Sequence, residues 1–357
     1  MMSQDEMDYN DTYDFLEYGY SEEPKRSGYT QREALHIISV IIYSLAFTLG
    51  TIGNGMVIWV TGFKSKRTVN SVWLQNLAMA DLVFVLFLPF SIDYVLRDFH
   101  WLFGKNMCKL NSFVCTMNMY ASILFLTILS LDRYVSLVHL SWSERYRNVK
   151  RAWWLSAMIW TTSCALSCPA LVFRDTSEHN GRTVCFNNFH NDSPRLVAIR
   201  HIALVSLRIT VGFLLPFATI TISGVLLAIK MRQSDSVRRS SFSRMVWAII
   251  LAFFLCWAPF HTFSLMELSM HGSNRLHSLL MVGFPLATSL AFFNSCLNPI
   301  LYVLMGARVR KMMKSVVLRF TKNSLRELSQ SVSLSATEID SAMPSLAPDE
   351  NLESSAV

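Results

Sequence analysis

Asn294-Ser295-Cys296-Leu297-Asn298-Pro299-Ile300-Leu301-Tyr302 sets two amides, two hydroxyls and a proline inside an apolar run near 278–305. A run of that length can cross a hydrocarbon core of about 30 Å as a helix. Working outward, six more apolar runs appear near 34–62, 71–96, 107–138, 152–173, 197–229 and 244–270. They carry their own embedded polar groups: Asn54, Asp81, Asp132-Arg133-Tyr134, and Trp257 with Pro259. A charge at the bilayer centre costs at least about 2.5–3.5 kcal/mol, so Asp81 is read as a functional group. Backbone polar groups cannot stay open in lipid, which makes these spans helices. The expected fold is an all-α membrane protein, a seven-transmembrane helix bundle with a short amphipathic eighth helix and its N-terminus outside.

Composition agrees. Of 357 residues 52% are hydrophobic and 16% charged, against about 25% charged in a soluble domain. Basic residues fix the orientation. Lys64, Lys66 and Arg67 follow the first span, Arg145, Arg147, Lys150 and Arg151 the third, and Lys230, Arg232, Arg238 and Arg239 the fifth. Arg308, Arg310, Lys311, Lys314 and Arg319 follow the seventh, so these segments face the cytoplasm. The first 23 residues hold no Lys or Arg. They are acidic rather than basic-then-apolar, so the first span is expected to serve as its own insertion signal. The net charge of +7 belongs to the inner membrane surface and does not imply nucleic acid.

The chain divides into an extracellular acidic arm (1–33), the bundle (34–305), an amphipathic helix 8 (306–320) and a Ser/Thr-rich cytoplasmic tail (321–357) expected to be disordered. The arm is either a solvated tether or a binding arm for a basic partner. Val309, Met312, Met313, Val316, Val317 and Phe320 recur at helical spacing among basic residues, which suits a helix lying on an anionic leaflet. Ser329, Ser331, Ser333, Ser335 and Thr337 would form a dense anionic run if phosphorylated, and Ser240 follows two arginines. Five cysteines lie within spans and read as packed thiols. Cys108 and Cys185 fall on the oxidising outer face, where a bridge is expected. Sequons at Asn10 and Asn191 also fall outside.

Taken in order, these residues resemble the rhodopsin-like (class A) G protein-coupled receptors across essentially all of 30–320. The matches are Gly53-Asn54, Leu77-Ala78-Met79-Ala80-Asp81, Cys108, Asp132-Arg133-Tyr134, Trp160, Pro216, Phe253-x-x-x-Trp257-Ala258-Pro259 and Asn298-Pro299-x-x-Tyr302. The resemblance implies an activation switch built from Asp132, Arg133, Tyr134, Ile123, Pro216, Phe253, Trp257, Pro259, Pro299 and Tyr302. Pro216, Pro259 and Pro299 free backbone carbonyls and bend their helices. It also implies an allosteric sodium ion, and no other metal or cofactor, at Asp81, Ser122, Asn294, Ser295 and Asn298. Asn118 lies four residues before Ser122 on the same helical face. An oxygen-only set around one carboxylate suits a hard cation.

Leu171-Val172-Phe173-Arg174-Asp175-Thr176, Cys185-Phe186-Asn187-Asn188-Phe189 and Phe292-Phe293-Asn294-Ser295 look like the chemerin-receptor subgroup of the chemoattractant receptors. The partners so implied are a chemerin-like protein ligand, a heterotrimeric G protein of the inhibitory class, arrestin and receptor kinases, within a plasma-membrane bilayer. Arg208, two turns outward of Pro216, suits a terminal carboxylate as a bidentate fork, with Arg174 and Glu267 adding charge around the pocket. Cys115 stands where amine receptors carry an aspartate. Two departures fall on the coupling face. The family's tyrosine eight residues after the span-five proline is Gly224, and its inner-loop proline is Leu140, followed by Ser141. They motivate an alternative, an arrestin-biased or scavenging receptor for the same ligand. Motifs of a membrane enzyme, such as His-Glu-x-x-His or Gly-x-Ser-x-Gly, do not occur.

Overall fold

The computed structural model describes residues 26–64, 66–179, 181–189, 193–233, 241–268 and 274–305, together with Leu318, Thr321, Lys322, Leu325, Arg326 and Ser329. Asn10, Asn191, Ser240, Ser331, Ser333, Ser335, Thr337 and most of the expected helix 8 lie outside the described residues, as does the side chain of Tyr302. Seven helices cross the membrane: Glu33–Lys64, Val69–Leu96, Gly104–Val138, Val149–Phe173, Arg195–Lys230, Val246–Leu268 and Val282–Leu301. They are spans one to seven below. The first helix starts at Arg26, inside the stretch read as the arm. Two compact units divide the chain, Met1–Val309 and Arg310–Val357. In the second, the described residues Leu318 to Ser329 are helical and exposed. Helical residues therefore run past 320, where the sequence reading began an unstructured tail.

Local chemistry sets the ends and bends of the spans. Thr68 caps span two with a reciprocal pair, accepting from the Ser71 N–H at 3.2 Å while the Thr68 N–H donates to Ser71 Oγ at 2.8 Å. Asn148 caps span four by accepting from the Arg151 N–H at 2.9 Å. Span two breaks between Val69–Val85 and Leu88–Leu96, because Pro89 has no N–H for the carbonyl of Val85. In span five a π-turn, Thr210–Leu214, ends two residues before Pro216. The extra residue in that turn re-phases the outer half of the helix, which carries Arg208. Pro259 and Pro299 lie inside spans six and seven.

Span three is the most buried of the seven. It packs against spans two, four, five and six, while span seven closes the ring against six, one and two. Glycine sets how near the backbones come. A Cβ at Gly53 would meet Pro299 Cβ at 2.6 Å, and one at Gly50 would meet Val85 Cγ1 at 2.8 Å. Helices in lipid associate through this kind of close packing, because lipid gives no hydrophobic drive between them. The apolar core runs through Phe125, Leu126, Ile123, Phe253 and Trp257.

Outside the membrane, β1 (Arg174–His179) and β2 (Arg182–Asn187) form an antiparallel hairpin. A disulfide between Cys108 and Cys185 ties it to the outer end of span three, with Cα atoms 5.8 Å apart. Lys105 Nζ adds an ion pair to Asp175 at 2.9 Å. The Trp101 N–H donates to Thr183 O at 2.7 Å, and the Thr183 N–H donates to His100 Nδ1 at 2.9 Å.

Candidate functional site

Under the hairpin the spans enclose a cavity of about 480 Å³. Arg174, Arg208, Glu267, Tyr120, Trp257 and Phe260 are among its walls. Cavities of this size typically hold small ligands or an inserted peptide segment. Arg174 opens β1 and donates to Cys185 O at 3.5 Å. Glu267 Oε1 lies 3.9 Å from His201 Nε2. Arg208 donates through Nη2 to Ser264 Oγ at 3.1 Å, and its guanidinium lies 4.9 Å from the centre of the Phe260 ring. Its Nε is buried without a partner. A guanidinium so placed has donors to spare for an incoming anion.

Deeper in the bundle, Asp81 is fully buried. It accepts at Oδ1 from Asn118 Nδ2 (3.0 Å) and Ser122 Oγ (3.5 Å), and at Oδ2 from Asn298 Nδ2 (2.7 Å). Ser295 Oγ donates to Asn118 Oδ1 at 3.3 Å, and Asn54 Nδ2 to the carbonyl of Ser295 at 2.9 Å. Asn294 lies one turn before Asn298 on the same face. The Oδ1 atoms of Asn54, Asn294 and Asn298, and Trp257 Nε1, are buried without partners. The fold brings scattered polar residues of four spans into one network around the carboxylate, and its surroundings still hold acceptor oxygens in reserve. Trp257 stacks on the buried Phe253 with ring centroids 5.8 Å apart.

At the cytoplasmic end, Arg133 Nη2 donates to Asp132 Oδ2 at 2.7 Å and to Asn70 Oδ1 at 2.5 Å. Arg147 joins them. Its Nε donates to Asp132 Oδ1 at 2.8 Å, and its Nη2 to Asp132 Oδ2 at 2.9 Å and Asn70 Oδ1 at 2.6 Å. Two guanidinium groups thus share one carboxylate and one amide. Sequence reading took Arg147 only as a loop charge and passed over Asn70, because nothing in their spacing says that the inner loop folds back. Tyr134 packs on His139, while Leu140 and Ser141 open a short helix, Leu140–Tyr146, and are exposed.

The matched family model, 7 transmembrane receptor (rhodopsin family), covers residues 53–302. The chain belongs to that family and is a multi-pass plasma-membrane receptor, not an enzyme. It is 43% identical to chemerin-like receptor 2 of Macaca fascicularis over 320 residues, 90% of each chain. Chemerin-like receptor 2 of Homo sapiens is 42% identical over 326 residues, 91% of each chain. Chemerin-like receptor 1 of Rattus norvegicus is 40% identical over 316 residues, 85% of this chain and 84% of the relative.

Proposed function

We propose that this receptor binds a chemerin-like chemoattractant or adipokine protein through that protein's C-terminal tail. The tail enters the cavity beneath the hairpin, and its terminal carboxylate meets Arg208, with Arg174 nearby. The carrying observation is the Arg208 guanidinium, set in the cavity wall with a buried Nε that lacks a partner. The names of the relatives, chemerin-like receptors 1 and 2, support the ligand class. Binding of a synthetic C-terminal peptide of such a protein, as free acid and as amide, tests the reading. Arg208→Ala should weaken the free acid about ten- to hundredfold, the range of a charged hydrogen-bond pair. The amide should start weak and lose little more. Equal affinity of both peptides for both proteins would refute the carboxylate clamp.

Signalling proceeds through a heterotrimeric G protein of the inhibitory class and through arrestin, after receptor kinases modify the tail. Arg133 held beside Asp132 supports the first route. A second reading, arrestin-biased or scavenging, draws on Gly224 and on the exposed Leu140 and Ser141. Ligand-driven G-protein dissociation measured beside arrestin recruitment separates the two. Strong dissociation over the range of the binding curve dismisses the scavenger.

An allosteric sodium ion fits the Asp81 cluster. Asp81, Asn118, Ser122, Asn294, Ser295 and Asn298 would hold it, and the unpartnered Oδ1 atoms of Asn294 and Asn298 match the oxygen donors that a hard cation takes. Bound there, the ion would supply the positive charge that the buried carboxylate otherwise draws only from amide and hydroxyl hydrogens.

A further inference from the structure

Gly224 stands where the family carries a tyrosine, and by itself it reads as a loss. The packing gives it a partner. A Cβ built on Gly224 would lie 2.8 Å from Trp247 Cζ2 and closer still to Cη2. The indole of span six therefore sits directly on the bare backbone of span five, in space that any side chain at 224 would fill. On the neighbouring face, Ser223 Oγ lies 2.9 Å from Ser130 Oγ of span three, both buried. The dipeptide Ser223-Gly224 is thus gripped by span three on one side and by span six on the other.

We propose that Trp247 is a positioning residue of the switch: seated on Gly224, it holds the inner half of span six against span five and sets how readily the two part. The lever is legible. Trp247 lies twelve residues inward of Pro259, about 18 Å along a helix. A bend of about 10° at that proline would move the ring by about 3 Å. A radial gap of only about 0.5–1 Å already forfeits a quarter to a half of a dispersion contact. Trp247 is 38% exposed, so its other face meets lipid, which supplies no hydrophobic drive to keep the helices together. Its inner face rests on the glycine. Gly224 and Trp247 are a matched pair, and changing either should shift the resting balance toward the parted state.

Ligand-free arrestin recruitment and ligand-free G-protein activation, both measured at matched surface expression, test this without any assumption about the ligand. Trp247→Ala and Gly224→Ala should each raise whichever basal signal the receptor carries about fivefold. The combined Gly224→Ala, Trp247→Leu receptor, in which a smaller side chain makes room for the added methyl, should return toward the parent level. Should the alanine variants fail to reach the surface, Trp247→Phe and the compensated pair decide, with an intermediate rise expected for the first. Basal signals unchanged in every variant that reaches the surface would overturn the proposal. So would a loss of heat stability in the single variants with both basal signals unmoved, since that would make the pair mere packing.

Discussion

Asp81 shows best how one residue's burden is shared. A fully buried carboxylate survives because spans three and seven deliver donors to both of its oxygens. If sodium binds there, raising NaCl in place of an organic cation should lower agonist-peptide affinity a few-fold in the parent. Asp81→Asn should abolish that sensitivity in the same binding assay, because the site loses its only charge. A second residue-scale test concerns Gly53, over which Pro299 Cβ closes. Gly53→Ala should destabilise the purified receptor by about 1–3 kcal/mol, the usual cost of overpacking. A melting temperature equal to the parent's would show that span one can step aside. The sequence announced Asp81 by cost alone, since an acid in lipid calls for an explanation. Its companions were legible from family spacing, but which hydrogen met which oxygen was not.

Among the elements, the outer hairpin is the least membrane-like and the most sensitive to solvent. Burial alone would push the Asp175 carboxyl up, but hydrogen bonds from Lys105 and the Thr176 N–H and the Lys105 charge outweigh it and hold the carboxyl below its ordinary value. A depressed folded value means that its contribution is whole above the ordinary carboxylate range and is lost only as pH falls through the lowered value. Protease cleavage of the hairpin should therefore stay flat from pH 7 to about pH 5 and rise in stronger acid. Lys105→Ala should bring that rise to higher pH; an unchanged profile would remove the ion pair from the account. The spans themselves were legible to within about four residues at each end, because length and apolarity decide them. The π-turn before Pro216 was not, since proline announces a bend without saying whether the chain inserts a residue to make it. Nor was the seat of Trp247, which depends on two helices lying side by side. One indole in an apolar run carries no sign of the glycine it covers.

At the scale of the whole molecule, outer cavity, polar centre and cytoplasmic cluster lie on the same few spans, and span three touches all of them. Activation and its termination should nevertheless be separable. Alanine at Ser329, Ser331, Ser333, Ser335 and Thr337 together should cut ligand-driven arrestin recruitment several-fold while sparing G-protein activation and peptide binding, because a dense phosphate run is what a basic groove would read. Equal recruitment by parent and variant would move the docking determinant elsewhere. The cytoplasmic cluster has a kinetic consequence. Asp132 and Asn70 each hold Arg133 and Arg147 together, so if Arg133 departs on activation, the carboxylate would keep a cation on it. A half-buried acid stripped of every partner would be a high-energy way station, costly to enter from either side. With Arg147 already in residence that station would not be visited: Asp132 would keep one of its two arginines throughout, and the step would be quick to make and quick to undo.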